Sequence, residues 1–318
     1  MLSVYIDNSD VSLRRVPVPK PRPGYALVEL ICGGICNTDI ELLRGYYGFR
    51  GRPGHEFVGR VVGPDGSAWL GKRVVGEINL SCGACDYCAR GLGRHCSRRT
   101  VLGIVKHPGA FADFLTLPET NLHEVPRSVP TEHAVFTEPI AAACEILDQV
   151  KIPRGAELAV LGDGKLGLLV AQVLAAHGVQ VHVFGRHQEK LRIAALAGCE
   201  VSRTDKLPRC RFDYVVEATG SSAGLTAAVA MARPRGTVIM KSTVHDAVAM
   251  DTAPVVVNEI TLVGSRCGRF GPALRLLKSG RLHLGEMISA DYPLSRAVDA
   301  FARAQERGVI KVLLRAGT

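Results

Sequence analysis

The sequence predicts an α/β protein with two domains, one small and β-rich and one built on a doubly wound parallel sheet. Its 318 residues exceed the ~250–300 residues at which single hydrophobic cores stop growing. In the first part of the chain, short strand candidates are bounded by Gly or Pro, which is typical of a small barrel or sandwich. Strand and helix patterns then alternate, which indicates a parallel sheet.

The β-rich part is predicted from its short apolar runs. The first 30 or so residues alternate apolar and polar side chains around four prolines and end in the strand candidate Tyr25–Leu30. Further strand candidates follow at Glu56–Val62, Arg73–Glu77 and Phe111–Leu117. Because they are short and irregularly spaced, they favour a β-rich domain over a helical one.

The character of the chain changes near Pro130, where Thr131–Val150 becomes helical and Ala-rich. Later strand signals lie at Tyr214–Ala218, Thr237–Met240 and Ile260–Val263. A helix at Ala273–Lys278 and a strand at Ile310–Leu314 predict a return to the first domain. We therefore predict a β-rich domain from residues 1–128 and 265–318, interrupted by a nucleotide-binding domain at 129–264.

The turn Gly162-Asp163-Gly164-Lys165-Leu166-Gly167 predicts a dinucleotide site. A strand at Glu157–Leu161 precedes it, and an apolar helix at Lys165–His177 and a strand at Val179–Phe184 follow. In a G-x-G-x-x-G turn the glycines allow the tight bend, the approach of a pyrophosphate and close helix–strand packing. The helix N-terminus adds free N–H groups for the phosphates. An ordinary glycine-rich turn without a ligand is the alternative.

Four cysteines lie close together in Cys82-Gly83-Ala84-Cys85-Asp86-Tyr87-Cys88 and Cys96, a C-x2-C-x2-C-x7-C pattern. Four thiolates on a loop with little apolar content fit a closed tetrahedral zinc site, and metal binding would supply the free energy that orders the loop. Such a site has no open coordination position, so we expect it to be structural. An iron–sulfur cluster and reactive or surface cysteines are the alternatives.

A second set of metal-ligand residue types lies in the β-rich domain. Cys36 follows the Gly33-Gly34 turn, and His55 and Glu56 come nineteen and twenty positions later. A soft sulfur, an imidazole and a carboxylate are the ligand types of an open, catalytic zinc site. Taken singly, however, a histidine is more often hydrogen-bonded and a cysteine merely packed, so spacing alone leaves both interpretations open.

The order of these motifs resembles that of the zinc-dependent medium-chain dehydrogenases/reductases, the superfamily of alcohol, sorbitol and threonine dehydrogenases. The resemblance extends along nearly the whole chain and rests on Gly33–Asp39, Gly54–Gly59, Gly71–Val74, the four-cysteine loop, the glycine turn, Glu217–Gly220 and Ile310–Val312. It implies a GroES-like catalytic domain and a Rossmann cofactor domain.

The resemblance also implies roles for single residues. Cys36 and His55 would ligate a catalytic zinc, and Glu56 would be a nearby carboxylate that ligates the metal or exchanges with water. Glu138 stands where the family has its third ligand, although a solvated acid in the first turn of a helix is the alternative there. Thr38 matches the hydroxyl that passes on the substrate proton.

The end of the second strand of the nucleotide domain bears on the choice of cofactor. NAD-binding domains place Asp or Glu there to bind the ribose hydroxyls, whereas this chain has Gly185 followed by Arg186 and His187. Arg can bind a 2′-phosphate through two hydrogen bonds, so we predict NADP(H) over NAD(H). Solvated roles for both side chains, with NAD bound without the acid, are the alternative. Thr219 and Arg266 complete the predicted cofactor site.

Together these features predict an enzyme with two zinc ions per chain that transfers hydride reversibly between an alcohol and NADP, forming a ketone or aldehyde. The substrate would be a secondary alcohol, a polyol or a sugar-like molecule. A zinc-free quinone or enoyl reductase of the same fold and a non-catalytic nucleotide-sensing protein are the alternatives. Glu41 stands where the family often has a relay histidine, so the outer proton path stays open.

Composition bears on location and partners. The chain is 47% apolar and 22% charged, as globular proteins are, and shows neither a signal peptide nor an apolar run of the ~20 residues that span a bilayer. We therefore expect a cytoplasmic protein, in which ten cysteines favour metal or free thiols over disulfides.

The basic residues are scattered, which disfavours nucleic-acid binding. An exposed strand near residues 259–263 predicts a homodimer or homotetramer.

Overall fold

The structure is a computed structural model that describes residues 1–243 and 248–317. It divides the chain into two compact units, Met1–Glu138 with Ile288–Thr318 and Pro139–Met287, which we call unit 1 and unit 2. No helix in the described ranges is long and apolar enough to cross a membrane.

The elements are numbered in chain order. The strands are β1 (Leu2–Asp7), β2 (Asp10–Arg15), β3 (Tyr25–Ile35), β4 (Glu56–Gly63), β5 (Arg73–Gly76), β6 (Asn79–Leu80), β7 (Thr100–Leu102), β8 (Lys106–His107), β9 (Phe114–Pro118), β10 (Leu122–Glu124), β11 (Glu157–Leu161), β12 (Gln180–Gly185), β13 (Glu200–Arg203), β14 (Phe212–Glu217), β15 (Ala232–Met240), β16 (Thr261–Gly264), β17 (Ile288–Pro293) and β18 (Lys311–Arg315). The helices are α1 (Asn37–Leu43), α2 (Asp86–Ala89), α3 (Thr131–Ala134), α4 (Thr137–Gln149), α5 (Lys165–Ala176), α6 (Gln188–Leu196), α7 (Ser222–Met231), α8 (Ala253–Val257), α9 (Phe270–Lys278) and α10 (Ala297–Ala304).

Unit 1 is built around the long strand β3. In its seven-stranded sheet the order is β10-β5-β4-β3-β18-β17, and β9 also pairs with β3. The last strand, β18, returns antiparallel to β3, with Val312 opposite Ile35. This confirms the predicted β-rich domain, and it places the end of the chain beside the segment that leads to Cys36.

Unit 2 is a doubly wound parallel sheet, as predicted. Its six strands lie in the order β13-β12-β11-β14-β15-β16, and every neighbouring pair is parallel. The apolar side chains of β11, β14 and β15 form one core with α7, which includes Leu161, Phe212, Val215 and Val238. Both units therefore have the predicted class of fold.

The boundaries of the units differ from those set in the sequence analysis, because the segment 265–287 is part of unit 2. Within that unit Arg269 pairs with Asp148 of α4 at 2.9 Å. A Cβ at Gly268 would lie 1.9 Å from the Ala141 carbonyl oxygen, so this segment packs directly on α4. Helix α9 therefore precedes the return to unit 1, which comes only at Ile288.

Candidate functional site

Strand pairing in unit 1 brings together the three predicted zinc-binding residues. Strands β3 and β4 are antiparallel, with Gly34 opposite Glu56, and Cys36 lies directly after β3 at the N-terminus of α1. One ligand atom each from Cys36, His55 and Glu56 lies within 4.8 Å of the others. The predicted convergence of these distant segments is thus present, and we call the set the reactive cluster.

A buried carboxylate, Asp39, orients the reactive cluster. Its Oδ2 accepts the Cys36 N–H at 2.9 Å, and its Oδ1 accepts the Gly54 N–H at 3.1 Å. The same Oδ1 lies 3.4 Å from Nδ1 of His55. Metal-binding histidines commonly give their second ring nitrogen to a carboxylate, which sets the tautomer and the ring orientation. Sequence analysis missed this role, although an acid at the third position of a helix next to a cysteine is a recognisable capping signal.

Two glycines make room for the reactive cluster. Gly54 has φ +101, a conformation that side chains other than glycine rarely adopt. A Cβ at Gly34 would lie 2.6 Å from Cγ1 of Val135 and 2.8 Å from Oε2 of Glu56. Gly34 therefore allows close packing on Glu56, and Gly54 allows the backbone turn before His55 and close packing on Phe111.

Glu56 forms a buried ion pair with Lys311 of β18. Glu56 is 1% exposed and Lys311 is 2% exposed. Burial alone would lower the pKa of Lys311, but Glu56, and after it Cys36, outweighs burial and raises that pKa. The lysine is therefore charged, and sequence reasoning missed it because only the pairing of β18 with β3 brings it to Glu56.

The charges and donors of the reactive cluster fit a divalent metal ion. With Cys36 as thiolate, the anions Cys36, Asp39 and Glu56 still outnumber the cations Lys311 and protonated His55 by one among these residues, and such an excess is costly in a site of low exposure. Burial opposes a charged imidazole, yet Asp39 and Cys36 raise the pKa of His55 well above its usual value. Among the described residues, the buried Glu56 Oε1 also has no hydrogen-bond partner. Thiolate, imidazole and carboxylate are zinc ligands, so zinc fits here.

The structure does not bring every predicted residue of this site together. Thr38 is close, since its Oγ1 lies 3.8 Å from Sγ of Cys36. Glu138 lies in the first turn of α4. In the described ranges, 1–243 and 248–317, the reactive cluster does not include it. Its role as a third zinc ligand stays a prediction.

The four cysteines of the loop converge as predicted. One sulfur from each of Cys82, Cys85, Cys88 and Cys96 lies within 4.8 Å of the others, and Sγ of Cys88 is 3.9 Å from that of Cys82 and 3.4 Å from that of Cys85. A tetrahedron with Zn–S bonds of about 2.3 Å has S···S edges of about 3.8 Å. A multi-iron cluster would hold the sulfur atoms further apart, so a single zinc ion fits better.

Backbone N–H groups favour the thiolate form of Cys82. The N–H of Ala84 in particular lowers the pKa of Cys82 to about 6. The backbone N–H of Cys88 lowers the pKa of Cys85, but the Cys88 side chain, burial and the other cysteines outweigh it and raise that pKa to about 11. The thiolate, not the thiol, is the metal ligand, so Cys82 is already suited to bind a cation.

The glycine turn of unit 2 has the shape that a pyrophosphate requires. Gly162 has φ +120, and a Cβ there would lie 2.5 Å from the Ala218 carbonyl oxygen, while a Cβ at Gly167 would lie 2.2 Å from the Gly162 oxygen. A Cβ at Gly164, by contrast, would meet nothing within 4 Å. The free side of the turn is thus open at the N-terminus of α5, beside Lys165 and Leu166, where a dinucleotide phosphate would bind.

The remaining predicted cofactor residues lie at the carboxyl ends of the strands. Gly185 ends β12, and the exposed Arg186 and half-buried His187 follow it. The N–H and hydroxyl of Thr219 both donate to Oε1 of Glu217 at 2.6 Å. The Arg266 carbonyl accepts a hydrogen bond from Nζ of Lys241 at 2.7 Å. In doubly wound sheets ligands bind at this edge, so the placement agrees with the prediction without testing it.

Comparisons with known proteins agree with this geometry. Residues 22–127 match the alcohol dehydrogenase GroES-like domain, and residues 166–279 match the zinc-binding dehydrogenase domain. The chain is 30% identical to D-altritol 5-dehydrogenase of Agrobacterium fabrum, over 94% of each chain. It is 27% identical to erythritol/L-threitol dehydrogenase of Mycolicibacterium smegmatis, over 93% of this chain and 92% of the other.

A solved structure is similar over the whole length. A zinc-binding dehydrogenase from Sinorhizobium meliloti, determined with NADP bound, superposes with a TM-score of 0.89 at 28% identity, covering 99% of this chain and 98% of the other. Sequence, family domains and fold thus lead to the same group of proteins.

We predict that Lys311→Met destabilises the protein by about 3–5 kcal/mol, because it leaves the Glu56 carboxylate buried and unpaired. Urea unfolding would measure the change. The matched control is Lys72→Met, which breaks an exposed pair with Glu124 at 3.5 Å and should cost about 1 kcal/mol or less.

The double variant Lys311→Met/Glu56→Gln should recover much of the loss, because it removes the unpaired charge. If Lys311→Met cost no more than Lys72→Met, the ion pair would not stabilise the site.

Proposed function

We propose that the chain, which belongs to the zinc-dependent medium-chain dehydrogenase/reductase family and is an NAD(P)-dependent alcohol dehydrogenase, oxidises a polyol reversibly with NADP as the preferred cofactor. The observation that carries the proposal is the reactive cluster, in which Cys36, His55 and Glu56 meet within 4.8 Å. A zinc-free reductase would have no need of these donors on a buried carboxylate support.

The relatives support a polyol as the substrate. They are named for D-altritol and for erythritol and L-threitol, all of which are acyclic polyols, and each is similar over more than nine-tenths of this chain. A polyol offers a secondary hydroxyl for oxidation and neighbouring hydroxyls for hydrogen bonds that fix its position. We therefore favour a polyol or a related sugar alcohol over a simple alkanol.

In this proposal the residues of unit 1 hold the metal and move the proton. When bound, zinc supplies a Lewis acid that favours the alkoxide of an alcohol, and the nicotinamide accepts the hydride. Cys36, His55 and Glu56 provide the donors, and Asp39 holds the imidazole in place. The Thr38 hydroxyl both accepts and donates hydrogen bonds, so it can take the proton of the alcohol and pass it on.

We also propose that each chain holds two zinc ions, one in the reactive cluster and one in the four-cysteine loop. Both sets have donors of the right type at the right spacing. Their tasks differ, because four thiolates close the coordination sphere whereas the reactive cluster can leave a position for substrate.

We predict about two zinc ions per chain by metal analysis. Cys36→Ser and Cys88→Ser should each lose about one ion, from different sites. Cys36→Ser and His55→Ala should lose activity while dinucleotide binding survives, because the cofactor site lies in unit 2. Cys210→Ser, at an exposed cysteine outside both sets, is the control and should retain both ions. Substantial activity in Cys36→Ser would contradict a zinc-centred reaction.

The end of β12 supports NADP as the cofactor. A Cβ at Gly185 would lie 2.6 Å from Cβ of Asp163, so the acid that binds ribose hydroxyls in NAD enzymes has no room there. Arg186 is exposed directly after it. The similar dehydrogenase from Sinorhizobium meliloti was determined with NADP.

One experiment tests both the substrate class and the cofactor preference. A panel of polyols, alkanols and sugar alcohols is assayed with each cofactor by the absorbance of the reduced nicotinamide. We expect kcat/KM for NADP to exceed that for NAD by tenfold or more, since one charge-assisted hydrogen bond is worth about 1.5–3 kcal/mol. An equal or better value with NAD would refute the cofactor preference. No turnover with any substrate would favour a nucleotide-sensing protein.

We propose that the protein is a homodimer or homotetramer. Strand β16 lies at the edge of the sheet in unit 2, where an unpaired strand can join its copy across a two-fold axis. Nearby α8 exposes Val256 and Val257 by 73% and 78%, which is unusual for large apolar side chains in a single chain.

Light scattering at micromolar concentration should therefore give the mass of two or four chains. Val257→Glu should shift the mass toward one chain, because it places a charge in the apolar contact. Val298→Glu, at an exposed valine of α10, is the matched control and should leave the mass unchanged. A monomeric wild-type protein would refute the proposal.

A further inference from the structure

We infer that Asp163 is a positioning residue that sets how the protein discriminates the 2′-phosphate of its cofactor. Asp163 holds the Arg186–His187 segment in place and occupies the space of the strand-end acid found in NAD-binding domains. The inference rests on the proposed use of NADP, and it adds the residue through which the preference is built.

Asp163 joins the glycine turn to the end of β12. Its Oδ2 accepts the Arg186 N–H at 2.8 Å and the His187 N–H at 2.6 Å, and it lies 3.0 Å from Nδ1 of His187. The residue is only 7% exposed. Because β11 and β12 are neighbours, with Leu161 opposite Phe184, the carboxylate bridges the two strand ends directly.

Asp163 is also the reason that residue 185 is glycine. Gly185 is not among the residues with positive φ, so the backbone does not demand glycine there. A Cβ at this position would instead lie 2.6 Å from Cβ, 2.7 Å from Oδ2 and 2.8 Å from Cγ of Asp163. An acidic residue at position 185 and an aspartate at position 163 would therefore overlap, so the fold can hold only one of them.

The segment held by Asp163 carries cations on its outer side. Arg186 is exposed. In the adjacent strand Arg203 is aligned with Gly185, and its Nη1 donates to the Arg186 carbonyl at 3.3 Å. Two guanidinium groups on neighbouring strand ends suit a dianionic phosphate. Sequence analysis did not assign Arg203, since only sheet pairing brings it here.

The charge and the position of Asp163 act in opposite directions. A carboxylate near a bound 2′-phosphate repels it, so by charge alone the loss of Asp163 would strengthen phosphate binding. By position, the loss of Asp163 frees the Arg186–His187 segment and weakens phosphate binding. Whether the loss of Asp163 weakens or strengthens phosphate binding therefore shows whether its position or its charge has the larger effect.

Isothermal titration of the protein with adenosine 2′,5′-bisphosphate and with 5′-AMP measures the change in affinity directly and does not require turnover. Asp163→Ala, which removes the acceptor of both N–H groups, should weaken binding of the bisphosphate by about tenfold, as expected for one lost charge-assisted hydrogen bond, and change 5′-AMP binding by less than about twofold. Asp205→Ala, at an exposed acid near the end of β13, is the charge control and should weaken neither ligand. Tighter binding of the bisphosphate by Asp163→Ala would overturn the inference.

A second pair of variants keeps the inference testable if Asp163→Ala folds poorly. Gly185→Asp alone should lower Tm by about 4 °C or more, because it overpacks the site. Asp163→Gly/Gly185→Asp should regain most of that loss and shift the binding ratio toward 5′-AMP. A double variant no more stable than Gly185→Asp would overturn the mutual exclusion.

The two proposals can fail separately. Equal affinity of the wild-type protein for adenosine 2′,5′-bisphosphate and 5′-AMP would refute the use of NADP as preferred cofactor, and with it the phosphate role of Asp163. Comparing the Tm of Gly185→Asp with that of Asp163→Gly/Gly185→Asp would still show whether packing against Asp163 or the backbone conformation requires glycine at position 185.

Discussion

The site in unit 1 depends on one buried carboxylate. Asp39 binds the N–H groups of Cys36 and Gly54 and lies 3.4 Å from the ring of His55. It thereby joins the start of α1 to the segment that precedes β4, which keeps the Cys36 sulfur and the His55 imidazole close enough to share one ion. Without such a support, each donor would have to lose side-chain entropy on its own before it could bind metal.

The charges around Asp39 explain the rest of the architecture near this site. Two buried carboxylates beside a half-buried Cys36 are a liability unless cations accompany them. Part of the compensation is Lys311, which comes from β18, and a charged His55 or a bound divalent ion would supply more. The return of β18 to β3 therefore matters electrostatically as well as for the sheet, because it places the one lysine that Glu56 needs. Fold and metal site are coupled through this requirement for neutrality.

Unit 2 contains the same arrangement at its candidate cofactor site. Asp163, like Asp39, accepts backbone N–H groups from a distant segment and holds it in position. In both cases the carboxylate accepts N–H groups from the segment that carries the candidate ligand-binding side chains. Buried hydrogen bonds to charged acceptors are strong, which suits turns that must keep their shape when a dinucleotide or a metal binds.

Local chemistry alone predicted a large part of this protein. The glycine turn, the four-cysteine loop and the class of both domains follow from spacing and residue type, because strands, helices and metal ligands impose local rules. For the Cys36 and His55–Glu56 motifs, spacing left the role open, and the family resemblance supplied the zinc interpretation. Sheet pairing and packing decided the rest. Lys311 reaches Glu56 across 255 positions, Arg203 reaches the end of β12 through a neighbouring strand, and segment 265–287 joins unit 2 through its contacts with α4. No local pattern specifies these pairs, since which strands become neighbours depends on how the whole chain buries its apolar faces.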